Sequence, residues 1–76
     1  MDIRQQIWEA RNAHFNKNRH DPTIVIMTPK NYAELIRELA GDQRIGSDMI
    51  NGELTQIFGL EPFRSHDVEQ NKFIIK

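Results

Sequence analysis

Histidine is the residue type in this chain best suited to acid–base or metal chemistry, and its three copies lie far apart, at His14, His20 and His66. Zinc sites built from histidine usually show close spacing, as in HExxH, and no such spacing occurs here. Asp67 follows His66 directly, but adjacent side chains in a turn point apart, so turn polarity explains the pair better than proton transfer. The sequence predicts neither a metal site nor a catalytic site.

The segment "GDQRIGSDMINGE", residues 41–53, is the other place where a ligand could be expected, because it is rich in glycine and acidic residues. Its acids are Asp42, Asp48 and Glu53. They lack the D-x-[DN]-x-[DN]-G spacing of a calcium loop, and the glycines do not form a phosphate-binding pattern. We therefore expect an exposed, flexible loop without a cofactor.

A short basic cluster, "NKNRH" at 16–20, has the composition of a phosphate contact. The whole chain, however, carries a net charge of −1, whereas nucleic-acid-binding domains usually show a basic excess. Nucleic-acid binding is thus the alternative hypothesis. Its predicted contact residues are Lys17, Arg19, His20 and Lys30.

Length and composition predict one domain, residues 1–76, with a modest core. The chain has no cysteine to cross-link that core, so help from a protein partner or from self-association is expected. No apolar run resembles a signal peptide in the first thirty residues, and no window approaches the roughly 20 apolar residues of a membrane span.

Residues 2–18 predict a helix with Asp2 as its N-cap. At about 100° per residue, its apolar side chains form two ridges, one of Ile3, Ile7, Ala10 and His14 and the other of Trp8 and Phe15. Arg4 and Arg11 lie between the ridges, each with an aromatic residue at i+4 that could hold its stem by stacking.

Two interpretations of this helix stay open. In the first it is a core helix whose arginines snorkel or pair with acids. In the second, one ridge packs on the protein's own sheet while the other contacts a partner, since Trp and Arg dominate binding energies at interfaces. The contact residues in that case are Arg4, Trp8, Arg11 and Phe15.

The remaining elements predict an α+β domain in the order helix, strand, helix, strand, strand, with two helices on one face of about three strands. "TIVIM" at 23–27 is typical of a buried strand, and Thr28 with Pro29 begins a helix that ends at Gly41. Residues 54–65 follow with a strand-like pattern interrupted by Gly59 and Pro62, and the internal proline indicates either an edge strand or a bulge.

The strand order follows from this arrangement. The 23–27 strand should be central or beside residues 60–65, and the helical crossover makes those two strands parallel. "KFIIK" at 72–76 should return antiparallel to residues 60–65. In "IFGL" at 57–60, Gly59 should permit close backbone approach under the second helix, and "RSHD" should turn the chain at the surface.

"TIVIMTPKNYAELIREL", "ELTQIFGLEPFRSHDV" and "NKFIIK" together resemble a segment of the major capsid protein of tailed bacteriophages, over about residues 22–76. In that family a strand leads into a Pro-started helix, then a loop, a "G.L..IFG.PV..S" stretch and a last strand. Capsid subunits are several times longer, with an N-terminal arm and an extended loop, and Glu61 shifts the register of the motif here.

The resemblance implies a phage or prophage protein in the bacterial cytoplasm or the virion. It implies a capsid-like fragment or a small virion-associated protein that works through protein–protein contacts, with no catalysis, cofactor, small-molecule substrate or membrane. The alternative is a small nucleic-acid-associated or regulatory protein of a prophage.

Overall fold

The structure, a computed structural model, describes residues 2–41, 47–50 and 52–76. Two helices and five strands follow one another within these described residues. They are α1 (Ile3–Asn18), β1 (Ile24–Met27), α2 (Pro29–Gly41), β2 (Ser47–Ile50), β3 (Glu53–Ile57), β4 (Glu61–Arg64) and β5 (Ile74–Ile75). The predicted α+β class, with two helices and a small three-stranded sheet, is confirmed. In the part of the chain that the structure describes, neither helix is long and apolar enough to cross a membrane.

Both helices begin at the predicted capping residues. The Asp2 carboxylate accepts a hydrogen bond from the Gln5 backbone N–H at 2.7 Å, and the Thr28 hydroxyl accepts one from the Asn31 N–H at 3.0 Å. Each cap satisfies a backbone donor that the first helical turn leaves without a partner. The caps fix where α1 and α2 begin relative to β1.

β1 is the central strand of a mixed sheet with the order β4-β1-β5. It pairs in parallel with β4, as predicted, with Ile24 opposite Glu61 and Ile26 opposite Phe63. The predicted pairing of the last strand was wrong, because β5 runs antiparallel to β1 and not to β4.

Pro62 gives the physical reason for that pairing. The Glu61 N–H donates to the Thr23 carbonyl and the Ser65 N–H to the Met27 carbonyl, so the backbone nitrogens of Pro62 and Arg64 belong to the other edge of β4. Because proline has no N–H, that edge keeps only the Arg64 donor for another strand. Of the two interpretations of Pro62, the edge strand is confirmed.

β2 and β3 form a separate antiparallel pair, which differs from the predicted loop at 41–53. The strand at Ser47–Ile50 lies inside that segment, and Gly41 still belongs to α2. Residues 42–46 and 51 of the predicted loop lie outside the described residues. Glycine and aspartate were interpreted as loop formers, but the backbone of 47–50 satisfies its hydrogen bonds on β3.

The predicted single strand over 54–65 is in fact two strands, β3 and β4, in different sheets. They are joined by a tight turn in which Ile57 and Leu60 exchange backbone hydrogen bonds of 2.9 and 2.8 Å. The two central residues, Phe58 and Gly59, have φ values of 52° and 81°, the signs of a type I′ turn. Gly59 is required by this φ and not by close approach, since an added Cβ would meet nothing within 4 Å.

The core lies between the helices and the inner face of the sheet. Its buried members are Ile3, Ile7, Val25, Met27, Leu35, Leu39, Leu54, Ile57 and Leu60. Both helices, β1, β3 and the turn residues Ile57 and Leu60 contribute to this cluster. Of "IFGL", Ile57 and Leu60 are buried in the core that α2 shares, whereas Phe58 contacts α1 and Gly59 is exposed. The core therefore fixes α1 and the β3–β4 turn relative to each other.

Candidate protein-contact surface on the first helix

The two apolar ridges of α1 have different environments. Ile3 and Ile7 are buried in the core, while Trp8 is 42% exposed and Phe15 is 38% exposed. The difference follows from helix geometry, because residues seven apart, such as Trp8 and Phe15, lie on the same face of a helix. The neighbouring face, which carries Ile3 and Ile7, packs on the core. Large aromatic side chains on the outer stripe of a packed helix form a surface that a partner can cover.

Trp8 is held in place by the β3–β4 turn although it is exposed. Its ring lies 5.0 Å from the Phe58 ring, edge to face at 62°. This is a favourable aromatic geometry, worth about 0.5–1.5 kcal/mol beyond the area that it buries. Phe58 is a bulky residue with positive φ, which is uncommon and costs conformational energy.

Arg11 joins the tryptophan to the turn. Its guanidinium carbon lies 5.7 Å from the centroid of the Trp8 ring, and its Nε donates a hydrogen bond of 3.1 Å to the Phe58 carbonyl. Its Nη2 lies 3.7 Å from an Asp21 carboxylate oxygen. The predicted stacking of Arg11 on the aromatic at i+4, Phe15, is replaced by stacking on Trp8, one turn earlier.

We call Trp8, Arg11, Phe15 and Phe58 the Trp8 patch. The indole, the guanidinium and the Phe58 ring supply apolar area, cation–π capacity and a planar donor at one place, and Phe15 adds exposed apolar area two turns along α1. Because Trp8 and Arg11 already contact Phe58, little rotamer freedom is left for binding to remove. The patch has the chemistry of a protein-contact surface and includes no nucleophile or general base.

The remaining predicted contact residue, Arg4, lies outside the Trp8 patch. It is half-buried in the first turn of α1, and its backbone N–H donates to Glu38 of α2 at 3.3 Å. The Ile3 N–H donates to the other oxygen of the same carboxylate at 2.9 Å. This end of α1 is thus tied to α2 by charge-assisted hydrogen bonds.

The residues of the nucleic-acid hypothesis lie on two elements. Lys17, Arg19 and His20 are exposed at and just beyond the C-terminal end of α1, and Lys30 is exposed in the first turn of α2. Arg19 has a structural task there, because with φ 61° it caps α1 through a 2.8 Å bond from its N–H to the Phe15 carbonyl.

Two of the three histidines, which are scattered in the sequence, come together in the structure. His14 is half-buried on α1 with its ring 5.4 Å from that of His20, and its Nε2 is buried without a hydrogen-bond partner. His66 and Asp67 lie exposed in a surface turn, where the Asp67 N–H donates to Ser65. Within the described residues, no group of three acidic, histidine or cysteine side chains could hold a metal ion.

Phe58 is the functional candidate that sequence reasoning missed. A glycine between two strand-like segments, as in the "FG" dipeptide after Ile57, is compatible with a two-residue turn, but asparagine, aspartate or glycine normally occupies the position of Phe58. Phe58 and Trp8 are fifty residues apart in the sequence. The helical periodicity of α1 cannot indicate a contact over that separation.

Comparisons of this chain with protein-family models, with curated proteins and with solved structures find no significant match. The assignment of a function therefore depends on the chain's own residues and on the geometry described above.

Proposed function

We propose that this chain is a non-enzymatic structural protein of the phage or prophage kind, acting through protein–protein contacts made by the Trp8 patch. The observation that carries the proposal is an exposed tryptophan that the protein itself holds in one orientation. Trp and Arg are among the residues that most often contribute a large share of the binding energy at protein interfaces.

The rigidity of the Trp8 patch supports a binding role over a merely exposed side chain. An unconstrained Trp8 would lose rotamer freedom on binding, whereas Phe58 and Arg11 have already removed that freedom during folding. The positive φ of Phe58 points in the same direction. Strained backbone that the surrounding contacts maintain is concentrated at functional sites.

The capsid-like character of the proposal depends on the resemblance over residues 22–76. The motif residues of that segment form β1, α2, β3, β4 and β5, and α1 adds the Trp8 patch to them. We infer a small virion-associated protein or a capsid-like fragment whose α1 contacts another protein of the particle.

The experiment measures incorporation into particles. A tagged chain is produced in its host during phage assembly, particles are sedimented, and the co-sedimenting fraction is determined for the native chain and for Trp8→Ala. We expect Trp8→Ala to reduce incorporation at least tenfold, the effect of losing a residue worth 1.4 kcal/mol or more at an interface.

Glu9→Ala is the matched control, because Glu9 is the exposed neighbour of Trp8 on α1. It should leave incorporation unchanged, and circular dichroism should show that both variants are folded. If Trp8→Ala unfolds the chain, Trp8 stabilises the fold and is not a contact residue. If the variant is folded and is incorporated normally, the proposal is overturned.

A further inference from the structure

The outer face of the three-stranded sheet, opposite the core, carries apolar residues that α1 and α2 leave accessible. Phe63 of β4 is 44% exposed and Ile74 of β5 is 42% exposed. Both are opposite Ile26 of β1 in register, so the three side chains form one row across the sheet. Paired residues on neighbouring strands project from the same face.

β1 has the composition of a strand that is covered on both faces. Its four residues, "IVIM", are all apolar, and Val25 and Met27 are buried while Ile24 and Ile26 are only half-buried. Sheets with parallel pairs such as β1–β4 are usually covered on both faces. We propose that a second copy of this chain covers the outer face, forming a two-fold symmetric dimer by sheet-on-sheet packing.

Charge placement on the outer face favours a second copy over an unrelated partner. Glu61 of β4 is opposite Ile24 in register, and Lys76 is opposite Ile24 on the other side, through hydrogen bonds of 3.0 and 3.1 Å between their backbones. Both Glu61 and Lys76 are exposed. A row of acid, isoleucine and base therefore lies beside the apolar row of Phe63, Ile26 and Ile74.

This arrangement is self-complementary for one orientation of the dimer axis. With the axis parallel to β1 between two sheets about 10 Å apart, β4 of each copy faces β5 of the other. Glu61 then faces Lys76 of the second copy, twice, and Phe63 faces Ile74. With the axis across the strands, the charged row would face the apolar row and the charges would lose water without gaining a partner.

The dimer is expected to be weak. Two strands of four residues and one of two offer a footprint of at most about 13 × 14 Å, far below the roughly 800 Å² per partner of a stable interface. The inference goes beyond the proposed function and uses none of the residues of the Trp8 patch. A particle, where copies are held close together, is a setting in which such weak contacts add up.

Analytical ultracentrifugation from about 10 μM to about 1 mM tests the proposal, a range suited to a weak interface. We expect a concentration-dependent dimer that Phe63→Ser abolishes and that Trp8→Ala leaves unchanged. Monomer throughout that range would overturn the proposal, and so would a dimer that survives Phe63→Ser or disappears with Trp8→Ala.

Charge reversal tests the axis. Glu61→Lys alone and Lys76→Glu alone should each weaken the homodimer about tenfold, since two attractions become two repulsions. Mixing the two variants should restore association as a heterodimer. Lysine at 61 of one copy then faces glutamate at 76 of the other, and Lys76 of the first copy faces Glu61 of the second, so both contacts are attractive. Failure of the mixture to associate, with both variants folded by circular dichroism, would overturn the proposed orientation and with it this dimer.

Discussion

At the scale of single residues, Asn31 shows how a buried polar side chain fixes a loop. It is fully buried, and its amide oxygen accepts a 2.8 Å hydrogen bond from the Asn71 N–H while its amide nitrogen donates to the Asn71 side chain at 3.1 Å. The Thr28 hydroxyl lies 3.0 Å from a Gln70 oxygen. Residues 70–71, which lead into β5, are held against the start of α2 in this way.

Asn31→Ala should lower the free energy of unfolding by about 2–3 kcal/mol, because it removes the hydrogen bonds that a fully buried side chain makes to Thr28 and Asn71, each worth about 0.5–1.5 kcal/mol. Urea titration followed by the fluorescence of the single tryptophan measures the change. Lys30→Ala is the control, since Lys30 is exposed on the same turn and should change stability by less than about 0.5 kcal/mol. Equal effects of the two substitutions would contradict this account of the network.

At the scale of elements, α1 is attached to α2 by a single carboxylate as well as by apolar packing. Glu38 of α2 accepts hydrogen bonds from the N–H groups of Ile3 and Arg4. Negative charge at a helix N-terminus is favourable both for these donors and for the helix dipole. The orientation of α1, and with it the exposure of Trp8, depends on this contact.

Glu38→Ala should cost about 1–3 kcal/mol of stability, the usual value for hydrogen bonds to a charged group, and should increase amide exchange in the first turn of α1. Hydrogen exchange read out by NMR resolves the turn. Glu34→Ala removes a carboxylate one turn earlier on α2 and serves as the control. The idea fails if exchange at Ile3 and Arg4 is the same in both variants.

The elements differ in how far their sequences determined them. Thr28, Pro29 and the apolar spacing of Leu35 and Leu39 predicted α2 correctly, because capping and periodicity are local. The two-residue strand β5 has no pattern that selects a partner, so its pairing had to come from the free edge of β1. β2 was missed because Asp48 and the glycines near the strand, Gly46 and Gly52, favour loops more strongly than four residues can favour a strand.

The surface of α1 was predictable only in part. The helical wheel placed Trp8 and Phe15 on one ridge and left open whether that ridge is core or surface. The structure leaves both residues exposed. The contact of Phe58 with Trp8 depends on a turn at the far end of β3, so no periodicity within α1 could indicate it.

At the scale of the whole molecule, net charge separates the proposed function from the nucleic-acid alternative. The chain carries ten basic and eleven acidic residues, and a near-neutral surface gives little counterion release on DNA. We expect no binding to labelled random duplex DNA at physiological salt, measured by fluorescence anisotropy. Binding that weakens steeply with salt and is lost on replacing Lys17 and Arg19 with alanine would favour the alternative.

The central position of β1 also sets the order of events during synthesis. Both of its partner strands, β4 and β5, lie C-terminal to α2, so a ribosome delivers α1, β1 and α2 before anything can pair with β1. Pairing over such separations is a slow step in folding. Until residues 61–75 arrive, the most apolar strand of the chain has unsatisfied edges on both sides, and a chaperone or a neighbouring nascent chain can reach it first.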